Sequence, residues 1–162
     1  ERNFWHVYFL WFYAHILSAP ASLAMGLVLI NDRYRSWAPS WHRRLGKLQI
    51  ANVLLLVAPS GIGMAFWHGS GWFAGAAMMT LGVATMVCAW FGWREAVRRR
   101  FANHRRWMWR LFVLLGSAVT IRLLGGLTEV FQIESTTVSI VNAWISWVVP
   151  LVICELVLRL KK

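Results

Sequence analysis

The sequence predicts an all-α protein, a polytopic transmembrane helical bundle of about five spans with its N-terminus outside and its C-terminus in the cytoplasm. Three observations predict it. Of 162 residues, 59% are hydrophobic and only 14% charged, whereas soluble domains run near 45–50% apolar and about 25% charged. The uncharged stretches reach the roughly 20 residues that a helix needs to cross a 30 Å hydrocarbon core. The 17 Lys and Arg, which outnumber six Asp and Glu for a net charge of +11, fall mostly between those stretches. Such placement is topogenic, and it removes the usual reading of a basic chain as a nucleic-acid binder.

The first span is Phe4–Ile30, which holds no Asp, Glu, Lys or Arg. Glu1 opens the sequence, and no basic segment or cleavage signature precedes Phe4, so the run reads as a retained helix. The second and third, Leu48–Trp67 and Trp72–Trp93, are equally free of formal charge. The fourth, Trp107–Phe131, is apolar apart from Arg110, Arg122 and Glu129, and the fifth, Val138–Leu158, apart from Glu155. Strands of this length are excluded because lipid leaves an open sheet edge unsatisfied, and barrel-type alternation is missing. The whole chain, 1–162, is thus one membrane domain.

Orientation follows from the cations. Arg33, Arg35, Arg43, Arg44 and Lys47 lie between spans one and two. Arg94, Arg98, Arg99, Arg100, Arg105 and Arg106 lie between three and four, with Arg110 just inside the helix; Arg159, Lys161 and Lys162 follow span five. Fifteen of the 17 Lys and Arg therefore share one side, and the opposite loops, 68–71 and 132–137, hold none. The positive-inside rule makes that side cytoplasmic. Most of the 12 tryptophans, Trp37, Trp41, Trp72, Trp93 and Trp107 among them, fall near span ends, where indole favours the headgroup zone. Pro20, Pro59 and Pro150 lie within spans and predict kinks. Gly61, Gly63, Gly75, Gly82 and Gly116 predict close helix approach. Cys88 and Cys154 sit in apolar runs as packing residues, without a disulfide or CxxC metal framework.

The residues suited to chemistry are few. His15 lies about 22 Å from the cytoplasmic end of the first span, and Arg122 lies equally far along the fourth. Equal depth makes them candidates for one buried ligand site; the alternative is local pairing of Arg122 with Glu129 or Glu134. Toward the cytoplasm, Trp41-His42-Arg43-Arg44-Leu45 and Asn103-His104-Arg105-Arg106-Trp107 open two helices of the same direction and suggest parallel repeats. Helix N-termini and arginines favour anions, so His42, Arg43, Arg44, His104, Arg105 and Arg106 are candidates for lipid phosphate, a heme propionate or another anion. Topogenic charge with capping histidines is the plainer alternative. Arg110 and Glu155, each about one turn inside the same face, read as a structural ion pair. For b-type heme, axial histidines should face each other at matching depth. His42 and His104 match but sit at the rim, His15 has no equal, and His6 and His68 lie near the outer face. No HExxH, P-loop, GxSxG or paired CxxC occurs, and the single aspartate, Asp32, argues against a carboxylate dyad.

Taken in order, Ala14-His15, then His42-Arg43-Arg44-Leu45-Gly46, then Asn103-His104-Arg105-Arg106-Trp107-Met108-Trp109-Arg110, then Ile121-Arg122-Leu123 resemble a bacterial membrane-protein family, domain of unknown function 2306. Its pattern is a helix histidine, an HRxxG element, an HRRWMxR element and an RL pair, matched here from Tyr13 to Leu124. The resemblance implies a bundle in the bacterial cytoplasmic (inner) membrane, and it directs attention to His15, His42, His104, Arg110 and Arg122. It implies no activity. Three functions stay open, with whether the chain is an enzyme undecided. One is an accessory or structural subunit of a larger membrane complex, holding lipids at the His-Arg clusters. The second is a redox or ligand-binding subunit with heme b or quinone between His15 and Arg122; the third is a small transporter.

Overall fold

The computed structural model describes residues 2–66, 71–133 and 135–160, with side chains from residue 8 onward. Trp67, His68, Glu134, Lys161 and Lys162, all used above, lie outside that description, as does the side chain of His6. The described backbone is helical and contains no strand. Its elements are α1 (Arg2–Ile30), α2 (Asp32–Trp37), α3 (Pro39–Asn52), a π-helical turn (Val53–Val57), α4 (Ala58–Ala65), α5 (Trp72–Val97), α6 (Phe101–Val130) and α7 (Thr136–Leu160). Because α3, the π turn and α4 are continuous, five helical stretches are long and apolar enough to cross a membrane.

Local chemistry sets the helix ends. The Asn31 side chain accepts from the backbone N–H of Arg33 at 2.9 Å and of Tyr34 at 3.3 Å, which starts α2, and Pro39 opens α3, where a missing N–H costs nothing. Asp32 in the first turn of α2 pairs with Arg35 at 3.1 Å and reaches across to Arg105 of α6. α3 thus begins nine residues before the apolar run at Leu48, and α6 begins at Phe101, ahead of Trp107. Both helices carry their arginines on a turn or two of helix that continues past the apolar part.

The three in-span prolines behave differently. α1 and α7 remain α-helical through Pro20 and Pro150. Pro59 follows the π turn, where the Ala58 N–H bonds the Val53 carbonyl five residues back. In a regular helix the proline ring would collide with the carbonyl four residues earlier; the wider turn relieves that clash and loosens the local carbonyls.

Helix α5 packs most extensively on α6, and α6 on α7, while α1 lies against α3, the π turn, α4 and α6. The core joins Val53, Val57, Cys88, Ala89, Leu111, Leu114, Leu115 and Trp147 from four of the five spans. Small residues set the spacing where lipid gives no hydrophobic drive between helices. A Cβ on Gly63 would stand 2.6 Å from Trp11, and one on Gly82 would stand 2.6 Å from Ile62. Gly92, which the sequence did not single out, is covered by Met108. Gly116 differs from expectation: it meets nothing within 4 Å and marks no contact. Long side chains such as Leu17, Leu55, Leu123 and Ile153 point outward, as a lipid-facing surface requires.

Candidate functional site: an interhelical cavity at His15

A cavity of about 600 Å³ lies inside the bundle, within the range of small-molecule sites. Its walls come from α1 (Tyr8, His15), the π turn and α4 (Val57, Gly61), α5 (Thr85), α6 (Ser117, Arg122) and α7 (Ser146), among others. His15 and Arg122, expected at equal depth, both line it, and the imidazole lies within electrostatic reach of the guanidinium.

The bonds around His15 fix its tautomer. Nδ1 lies 3.2 Å from the Val57 carbonyl oxygen and 3.1 Å from Ser60 Oγ. A carbonyl only accepts, so Nδ1 carries the hydrogen and Nε2 keeps its lone pair. Ser60 Oγ donates back to the Leu56 carbonyl at 2.5 Å, which leaves it free to accept from the ring. The end of the π turn and the first turn of α4 therefore present the acceptors that orient His15, and Gly61 makes room, since a Cβ there would stand 3.3 Å from His15 Cε1.

The cavity hydroxyls are committed in the same sense. Thr85, Ser117 and Ser146 each donate to a carbonyl of their own helix, at 2.7, 2.6 and 3.0 Å, and turn lone pairs outward. Arg122 is the opposite case. It is exposed, gives Nη1 to the Ala118 carbonyl at 3.0 Å, and forms no ion pair among the described residues. The pairing with Glu129 does not occur. The site thus combines acceptors in its interior with a cation at its edge that has no ion pair among the described residues.

The other sequence candidates gather at the arginine-rich face. His104 Nδ1 donates to the Gly92 carbonyl at 2.7 Å, and His42 lies close enough to His104 to feel its charge, so the two HRR elements approach each other. Arg105 is taken by Asp32, Arg44 lies over the Trp41 ring at 5.7 Å, and Arg43 and Arg106 pair with no carboxylate among the described residues. Arg110 grips Glu155 with both guanidinium edges, Nη2 to Oε2 at 3.1 Å, and stacks on Trp107 at 4.6 Å. No cluster of three metal-ligating side chains exists among the described residues.

Several polar residues of the interior were not singled out by the sequence: Ser22, Gln49, Asn52, Ser60, Thr85, Ser117 and Ser146. Their signal was spacing. Ser18 and Ser22 follow His15 by three and seven residues, one face of a helix otherwise apolar.

Fold and interior together define a polytopic α-helical membrane protein with a polar cavity between its helices. The chain belongs to the family described as predicted membrane protein (DUF2306), whose pattern matches residues 12–158. No curated protein and no solved structure gives a match.

Proposed function

We propose that the protein is a membrane-embedded binding protein for a quinone-type molecule, held in the interhelical cavity between His15 and Arg122. The observation that carries this reading is the contact of His15 Nδ1 with the Val57 carbonyl, which leaves Nε2 as an acceptor on a residue of the same cavity wall as Arg122, a guanidinium without an ion pair among the described residues. A hydroquinone donates a hydroxyl to an acceptor such as Nε2, and its second oxygen accepts from arginine. The apolar remainder, including Leu81, Leu114 and Ile121, suits a ring and the start of an isoprenoid tail. Heme b held by two histidines fits less well, because His15 is the single histidine on the described cavity wall.

In this reading the arginine-rich face is cytoplasmic, the membrane is the bacterial inner membrane, and the exposed arginines there hold anionic lipid. An accessory role within a larger complex is compatible with quinone binding and draws on the small size of the domain. A transporter reading has the continuity of α1 and α7 against it, since transporter sites favour broken helices.

The test is titration of protein in lipid nanodiscs with a short-chain ubiquinone and its quinol, followed by tryptophan quenching. Saturable binding at one site, weakened about tenfold or more in His15→Ala and in Arg122→Gln, is expected, the factor that loss of one charge-assisted hydrogen bond corresponds to. Non-saturable partitioning, equal in all three proteins, would overturn the proposal.

A further inference from the structure

A second polar feature leads away from the cavity toward the arginine-rich face. Between α1 and α3, Asn52 Nδ2 donates to the Ser18 carbonyl at 3.0 Å and to Ser22 Oγ at 2.9 Å. One turn nearer that face, Gln49 Nε2 donates to the Ser22 carbonyl at 3.1 Å. Ser22 and Gln49 are almost fully enclosed, at 0% and 3% exposure. On α1 the seam continues through Ser18 to His15, seven residues and about 10 Å from Ser22. On α3 it continues to His42, which lies seven residues from Gln49 on the same stripe of the helix.

Two buried atoms along this line have no partner among the described residues, Gln49 Oε1 and His42 Nδ1. The assignment at Gln49 is forced. Its nitrogen must face the Ser22 carbonyl, which only accepts, so the oxygen is the end left over. An enclosed amide oxygen without a hydrogen bond costs about 1–3 kcal/mol, and native interiors meet such groups with ordered water. The interval of about 10 Å from Gln49 to His42 takes about three waters at the usual oxygen–oxygen spacing. Packing alone asks for none of this: a leucine at position 49 would fill the same interface without leaving an orphaned acceptor.

We propose that the polar seam between α1 and α3 holds a file of water that exchanges protons between the arginine-rich face and His15. Protons pass between water oxygens; Gln49, Asn52 and Ser22 anchor the file and carry no charge themselves. At its inner end the proton reaches the His15 and Ser60 pair, and at its outer end His42 meets bulk water. The inference rests on the reading of His15 as the polar end of the binding cavity, and it gives that site a proton route separate from the ligand's entrance.

The experiment uses ligand-free, 15N-labelled protein in nanodiscs. Water-edited NMR should show mobile water in contact with the Gln49 side-chain amide of the unaltered protein; a dry amide overturns the proposal without any variant. Exchange of the His15 ring N–H with deuterated solvent should slow about tenfold in Gln49→Leu, the factor that loss of one water-anchoring hydrogen bond corresponds to. Asn52→Leu serves the same purpose should Gln49→Leu fail to fold. Leu123→Ala, on the outward-facing surface, should leave the rate unchanged, and Ile121→Trp narrows the cavity instead of the seam. Slowing in Ile121→Trp with no effect of either seam variant would assign exchange to the cavity and refute the file. Because no quinone is present, these outcomes stand apart from the binding titration: absent quinone binding with a wet, blockable seam would sink the ligand and leave the proton route.

Discussion

Removing the carboxylate from the Arg110–Glu155 pair should loosen α7 from α6 by a measurable amount. The pair is bidentate and its side chains are 21% and 34% exposed, so it is neither a free surface bridge nor fully dry. Coulomb attraction at about 4 Å and an effective dielectric of about 20 gives roughly 4 kcal/mol. Desolvation and partial exposure offset about half of that, which leaves about 2 kcal/mol. Glu155→Gln keeps the shape, retains one acceptor, and strands the guanidinium against Trp107. For a chain of this length the loss corresponds to a fall in Tm of about 4–8 °C, read by tryptophan fluorescence in nanodiscs. Arg110→Gln should cost a similar amount, and the double variant should cost less than the sum, with a coupling of about 1–2 kcal/mol. Strict additivity of the two single changes would refute the argument that these groups stabilise the bundle through each other.

Other substitutions separate packing from site chemistry. Gly82→Val should destabilise by about 1–3 kcal/mol in thermal unfolding, because its Cβ would already meet Ile62 at 2.6 Å. Gly116→Ala, with open space around the new methyl, should instead stabilise by up to about 1 kcal/mol through helix propensity; a loss there would mean that the open space is occupied. Pro59→Ala restores an N–H and removes the ring, so the π turn should relax and shift the Val57 carbonyl away from His15; the ring 15N shifts of His15 should then show mixed tautomers, whereas an unchanged pattern would remove the π turn from its role. Asn31→Ala should cost α2 about 1 kcal/mol of cap energy and free its first turn to faster amide exchange.

The five spans were legible because a bilayer imposes one demand on every crossing segment, a long run without charge, and composition satisfies it at each of them. The interior was legible only by depth. Counting residues puts His15 and Arg122 at one level, but nothing in the count tells that Arg122 avoids Glu129 and bonds its own helix at Ala118. The π turn escaped notice because Pro59 predicts a defect without specifying its form; a kink and a widened turn relieve the same clash. Gly116 misled for a related reason, since small size permits a contact that only a facing helix can complete. Gln49 and Asn52 fall in the first two turns of the expected span Leu48–Trp67, where a residue-by-residue reading sees an interfacial polar group. Their burial is a tertiary fact, made by Ser18 and Ser22 arriving from α1.

These features depend on one another in a definite order. A proline within the second span follows a wider turn; Val57, the last residue of that turn, sets its carbonyl beside His15 Nδ1; and the carbonyl fixes which nitrogen of His15 bears the hydrogen. The same logic applies one step farther out. Ser18 gives its hydroxyl to Ala14 at 2.6 Å, while its own carbonyl accepts from Asn52, so α1 can hold the polar seam without opening its own ladder. Along the seam and the cavity wall the polar groups are thus arranged so that donors are mostly spent and acceptors are left over: Nε2 of His15, the cavity hydroxyl oxygens, and Oε1 of Gln49; the buried indole N–H of Trp147 is the exception, a donor with no partner among the described residues. A protein interior biased toward acceptors in lipid is stabilised by whatever brings hydrogens to it, which water does along the seam and a hydroquinone does in the cavity. The bias predicts an order of affinity as well: at equal tail length the reduced ligand should bind more tightly than the oxidised one, because the oxidised form brings acceptors to acceptors and keeps only the contact with Arg122. Equal or reversed affinity in the nanodisc titration would show that the arginine, and not His15, governs recognition.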